Sequence, residues 1–243
     1  MADAGSVGPP AGPAGESLGE GRRKPWSPLE PADALIGIGA VIVSVSILGA
    51  IVIALVQGEP DQTLVGLVPQ GLLFIGIPIA IASMRVASRP WRVMGYVPFK
   101  GTDLWLVAAV IGIQIVAFIA FSNLFFTPEQ DTVVDDKNFD KTTLIAIAAV
   151  VLIVIVAPVT EETLFRGLFF GAIRSRAPFW VAAGISGVAF GAVHLGPGDP
   201  AVAGFLALFG VMLAWLYEKT GSLGPPIAAH MVNNSLAIIP LLS

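Results

Sequence analysis

Residues 144–166 read LIAIAAVVLIVIVAPVTEETLFR. An unbroken apolar run from Leu144 to Val159 leads through Thr160 into two adjacent carboxylates, Glu161 and Glu162, and Arg166 follows four residues after Glu162. The run reads as a membrane-spanning helix, so the charges stand at or near membrane depth. There an Asp, Lys or Arg costs about 2.5–3.5 kcal/mol at a helix centre on insertion scales. The chain's only two histidines, His194 and His230, also lie in or at the ends of apolar spans. Five ionisable groups kept near such spans point to chemistry.

The whole chain supports the membrane reading. Its 243 residues are 55% hydrophobic and 12% charged, where a soluble domain carries about 25% charged residues. The apolar residues come in runs of about 20, the length that crosses a hydrocarbon core. The short, strictly alternating segments of a membrane β-barrel are absent. The expected fold class is therefore all-α, a polytopic bundle of about seven spans. With no cysteine, disulfides and thiolate metal sites are excluded. Residues 1–31 are rich in Gly, Pro, Ala and Ser and are expected to form a disordered tail. No apolar segment precedes Leu35, so a cleavable signal peptide is not expected. Residues 32–243 form the expected transmembrane domain.

The spans are predicted at Ala34–Val56, Leu64–Met84, Leu104–Phe126, Thr142–Ile173, Phe179–His194, Ala201–Tyr217 and Pro225–Leu242. Pro69 and Pro78 are expected to kink the second and Pro158 the fourth. One set of connections carries Arg22, Arg23, Lys24, Arg85, Arg89, Arg92, Lys100, Arg174, Arg176 and Lys219. The other carries Glu59, Asp61, Glu129, Asp131, Asp135, Asp136, Asp140 and Asp199, with Lys137 and Lys141 as the basic exceptions. This bias places the N-terminus in the cytoplasm and the C-terminus outside a multi-pass plasma-membrane protein. Trp26, Trp91, Trp105, Trp180 and Trp215 are assigned to the aromatic belts. Gly167, Gly171, Gly184, Gly187 and Gly191 are assigned to close helix packing.

Helical rise tests whether the polar groups meet. Glu161 lies about 20 Å before Arg174, and His194 about 22 Å after Phe179, measured from one shared connection. His230 lies about 8 Å past Pro225. The three can share a layer in the cytoplasmic half of the membrane, provided that Gly196–Pro200 is not re-entrant. Phase then separates the glutamates. Glu162 and Arg166, spaced i,i+4, can pair, whereas Glu161 points about 100° away and is left free. The pairs Phe190/His194 and His230/Asn234 have the same i,i+4 spacing.

A desolvated carboxylate suits the task of taking a proton from water. Histidine can orient that water, and His and Asn donors can stabilise an oxyanion. Glu161, His194, His230 and Asn234 thus contain the parts for amide hydrolysis. Glu161, His194 and His230 are equally a zinc set with an open position, although the H-E-x-x-H signature is absent. Residue chemistry alone leaves both mechanisms open.

Three motifs occur in order on consecutive predicted spans: E-E-x-x-x-R at Glu161–Arg166, F-x-x-x-H at Phe190–His194 and H-x-x-x-N at His230–Asn234. Over about Thr142 to Leu236 the chain resembles the CPBP family of intramembrane proteases, which includes CAAX prenyl endopeptidases and bacteriocin-processing or Abi-like immunity proteins. The resemblance implies an endopeptidase. It makes Glu161 the water-activating base, with Glu162 and Arg166 in support together with Phe190. His194 would help hold base and water, and His230 and Asn234 would form the oxyanion side. A metal-free reaction is favoured because Asn234 suits that last role, with zinc as the alternative. The expected partners are the bilayer and a membrane protein or peptide substrate, and not nucleic acid. Two other classes compete: a proton-coupled transporter using the Glu/His cluster as a relay, and a non-catalytic immunity or scaffold protein.

Overall fold

The computed structural model describes residues 24–26, 28–55, 62–125, 147, 150–195 and 200–242. Among them the fold is all-helical, with no strand. Helices α1 (Pro31–Leu55), α2 (Gln62–Arg85), α3 (Leu104–Phe125), α4 (residues 150–174), α5 (Phe179–Ala192), α6 (Pro200–Thr220) and α7 (Gly224–Leu242) follow in chain order. Their described ends fall within about three residues of the predicted spans, except the start of the fourth, where residues 142–146 lie outside the described residues. The acidic connections around Glu59 and residues 129–140, the basic pair Arg22–Arg23 and the segment 196–199 lie outside the described residues.

Two helical stretches, Gly101–Asn123 and Pro200–Thr220, are long and apolar enough to cross a membrane. The apolar stretches Pro31–Ile47, Gln70–Arg85 and Phe179–Ala192 are shorter. At 14 residues, α5 measures about 21 Å against a core of about 30 Å. Seven long helices are thus present among the described residues, but seven crossings do not follow from them. Large apolar side chains face outward on several helices, among them Leu35 on α1, Leu72 on α2, Val116 on α3 and Trp180 on α5. Outward apolar faces of this kind suit lipid rather than water.

Helix α4 runs through the middle of the bundle, and every residue from Thr163 to Phe170 is buried. It is wound in four pieces. Two wide, π-type stretches, Leu152–Val156 and Thr163–Phe170, flank the ordinary α-turns of Ala157–Glu162. The cause of the first lies in the sequence: Pro158 has no N–H to give to the preceding turn. By contrast, α2 stays helical through both Pro69 and Pro78.

Helices α5 and α6 approach closely because two positions lack a Cβ. One added at Gly187 would lie 2.7 Å from the Ala207 carbonyl oxygen, and one at Gly191 would overlap that of Ala203. Gly167 and Gly171 are likewise packed, against Met94 and Trp26, whereas Gly184 faces open space and is not a packing position.

Two expectations about the N-terminal end need correction. Trp26 is not an interfacial belt residue. It is 3% exposed, with its ring 4.8 Å from that of Tyr217 and 5.8 Å from that of Phe170. Leu29 beside it is wholly buried. The boundary at residue 31 therefore falls too late, since packed chain begins by Lys24, whose ammonium donates to the Glu218 carbonyl. A short turn with one large indole had enough apolar surface to dock, which average composition over 31 residues conceals.

Candidate active site

The two glutamates leave α4 in different directions, as their phase requires. Glu162 is fully buried, and its Oε1 accepts from Arg166 Nη1 at 2.8 Å and from His230 Nδ1 at 2.9 Å. Arg166, also fully buried, gives Nη2 to the Gly210 carbonyl at 3.1 Å. Its guanidinium lies 4.5 Å over the Phe190 ring. A buried charge pair needs further hydrogen bonds to compensate for lost water; contacts from α4, α6 and α7 supply part of them, while Glu162 Oε2 and Arg166 Nε have no hydrogen-bond partner among the described residues.

Glu161 is turned toward both imidazoles. Its Oε2 stands 3.9 Å from His194 Nε2 and 3.9 Å from His230 Nε2. These separations are too long for direct hydrogen bonds and suit a bridging water. The same Oε2 is buried and has no hydrogen-bond partner among the described residues. The shared layer expected from helical rise is thus present, with Glu161, His194 and His230 brought together from α4, the end of α5 and α7.

The partners of the histidines settle their tautomers. Nδ1 of His194 is 2.7 Å from the Phe190 carbonyl, which can only accept, so that nitrogen carries the hydrogen. Nδ1 of His230 does the same toward Glu162. In the neutral rings both Nε2 atoms are then acceptors, facing a carboxylate oxygen that also accepts. Three acceptors around one point favour a donor between them, and water has two hydrogens to give.

Phe190 serves several neighbours at once. Its carbonyl orients His194, its ring underlies Arg166, and it stands edge-on to His230 at 5.6 Å. Phe209 flanks His230 from α6 at 5.8 Å. Asn234 is not hydrogen-bonded to either glutamate. Its Nδ2 donates to the Ile153 carbonyl at 2.9 Å, and its Oδ1 accepts from Asn233 at 3.3 Å. A narrow cleft between α2 and α4 ends at Glu161, with Gln70, Phe74, Val156 and Thr160 among its walls.

Among the described residues no group of three or more His, Asp or Glu side chains is placed to hold a metal ion.

Sequence reasoning missed the second partner of Glu162, the Ile153 carbonyl and Tyr96. The Tyr96 hydroxyl bonds to Thr163 Oγ1. Thr163 spends its own hydrogen on the Val159 carbonyl at 2.6 Å, so Tyr96 is the donor. Burial pushes the phenol's pKa above its usual value of 10.0, which keeps it a neutral donor. A signal existed, since the chain has only two tyrosines.

Residues 143–236 match the family described as type II CAAX prenyl endopeptidase Rce1-like. The chain is 36% identical over 85 residues to the "Putative membrane peptidase YdiL" of Bacillus subtilis (strain 168), a match that spans 35% of this chain and 34% of that one. It is 30% identical over 153 residues to an "Uncharacterized 24.3 kDa protein" of Escherichia coli, covering 62% of this chain and 69% of the relative. No solved structure matches the chain significantly. The matched segment holds the paired glutamates, both histidines and Asn234, and on these grounds the chain belongs to the CPBP family.

Proposed function

We propose that this protein is an intramembrane endopeptidase that hydrolyses peptide bonds in the cytoplasmic half of the plasma membrane, with Glu161 as the base. The observation that carries the reading is the Glu161 oxygen, buried, without a hydrogen-bond partner among the described residues, and 3.9 Å from each of two imidazole nitrogens. A water held among these three atoms gives one proton to Glu161, and its oxygen attacks the carbonyl carbon of the scissile bond. Asn234, whose amide keeps one N–H beyond the Ile153 bond, stabilises the resulting oxyanion, while His230, whose Nε2 accepts in the neutral ring, helps to hold the water. Collapse of the tetrahedral species breaks the C–N bond, and the proton on Glu161 passes to the leaving amine. Substrates are membrane proteins or membrane-bound peptides, reaching Glu161 in a bundle of seven crossings with the N-terminus in the cytoplasm and the C-terminus outside.

The test uses the full chain, purified in detergent micelles, against fluorescein-labelled casein and a farnesylated peptide with a C-terminal CAAX box. Glu161→Gln is expected to lower turnover by about 10²–10⁴-fold while the melting temperature stays at the wild-type value. A fully active Glu161→Gln protein overturns the reading.

A further inference from the structure

The wide turn in α4 leaves one carbonyl without its helical partner. Within it the Ala157 N–H donates to the Leu152 carbonyl, five residues back. In the same register the next bond would run from residue 158 to the Ile153 carbonyl, but residue 158 is proline. Asn234 Nδ2 takes that carbonyl at 2.9 Å.

This bond and the two amide contacts behind it fix three side chains together. A carbonyl only accepts, so Asn234 must present its nitrogen to α4 and its oxygen away from it. That oxygen then requires a donor, and Asn233 Nδ2 supplies one at 3.3 Å. Asn233 is turned in consequence with its own oxygen outward, where Gln114 Nε2 meets it at 3.4 Å. Three carboxamides therefore run head to tail from α3 through α7 to α4, all in one sense. Gln114 begins the chain. It is 4% exposed, and its Oε1 has no hydrogen-bond partner among the described residues. It is also the one polar side chain between Leu104 and Phe121.

We infer that Gln114 is a positioning residue for Asn234. The inference rests on the peptidase reading for its consequence, the direction of the second Asn234 N–H. Bonds of 3.3–3.4 Å are long, so the chain contributes little cohesion. What it supplies is direction, because reversing any one amide sets oxygen against oxygen in surroundings of low dielectric. With Oδ1 engaged by Asn233 and one N–H by Ile153, the Asn234 amide cannot flip, and its remaining N–H is fixed in direction.

Two measurements on the full chain in micelles test this. In the casein assay, Gln114→Leu and Gln114→Glu are each expected to lower kcat by about tenfold or more with KM unchanged. The loss should vanish when the substitution is added to Asn234→Ala, measured on its residual turnover. A packing role would instead lower activity equally in both backgrounds, and unchanged kcat in both variants overturns the inference. The second measurement does not depend on activity. In protein labelled with ¹⁵N at asparagine, Gln114→Leu is expected to shift and broaden the side-chain amide resonances of Asn234. Unaltered resonances overturn the inference, whereas a wild-type protein that cleaves no probe overturns the peptidase reading alone.

Discussion

Glu162 and His230 are joined through Oε1 and Nδ1 at 2.9 Å, across 68 positions of sequence. The bond makes Glu162 a shared acceptor, holding Arg166 on its own helix and the imidazole of α7. The charge of Glu162 is therefore committed to structure, and the His230 ring is left with Nε2 toward Glu161.

The two glutamates should separate by experiment. Glu162→Gln leaves the fully buried Arg166 without its counter-charge, and breaking a buried pair on one side costs about 3–5 kcal/mol. Thermal melting in micelles should show that loss for Glu162→Gln and none for Glu161→Gln.

The histidines should separate as well. His194 is exposed, with a side-chain bond to the last turn of its own helix, whereas His230 is 4% exposed and bonded to Glu162. Both His194→Ala and His230→Ala are expected to lower kcat by about 10²-fold or more. Only His230→Ala should also lower stability, by about 1–3 kcal/mol, because it removes one partner of a buried charged acceptor.

Pro158→Ala gives residue 158 an N–H that can bond the Ile153 carbonyl, in competition with Asn234. Helical regularity improves, so the melting temperature should hold or rise, while kcat falls about tenfold. A variant both stable and fully active would show that Asn234 does not depend on the wide turn.

Tyr96→Phe removes the donor to Thr163 and should cost about 1 kcal/mol at neutral pH. The alkaline side gives a second readout. The folded phenol's pKa lies above 10.0, so the unfolded chain ionises first. Stability tied to Tyr96 is present below pH 10.0 and is lost as pH rises through the folded value. Tyr96→Phe should reduce that alkaline loss in melting curves.

The sequence was informative about depth and less so about direction. A rise of about 1.5 Å per residue is enough to level Glu161, His194 and His230, and that expectation needs nothing about how helices face each other. The i,i+4 pairing of Glu162 with Arg166 is likewise local. The bond from His230 to Glu162 depends on the rotation of α7 against α4, which no single helix encodes. Asn234 illustrates a second limit. An even 3.6-residue period hides the wide turn and with it the open carbonyl of Ile153, although Pro158 stands in plain view. Trp26 shows a third, since two side chains that dock on a core, Trp26 and Leu29, are invisible inside a longer stretch of tail-like composition.

A turn closed five residues back rather than four holds one residue more than an α-turn. Helix α4 thus carries a spare residue just upstream of its glutamates. Loss of one residue within Leu152–Val156 would rotate the preceding segment by about 100° and leave Ala157–Arg174 where it is. The helix is in effect two pieces: an N-terminal one that insertion or deletion would re-face at the cost of the Ile153–Asn234 bond, and a C-terminal one whose register is locked by Glu161, Glu162 and Arg166.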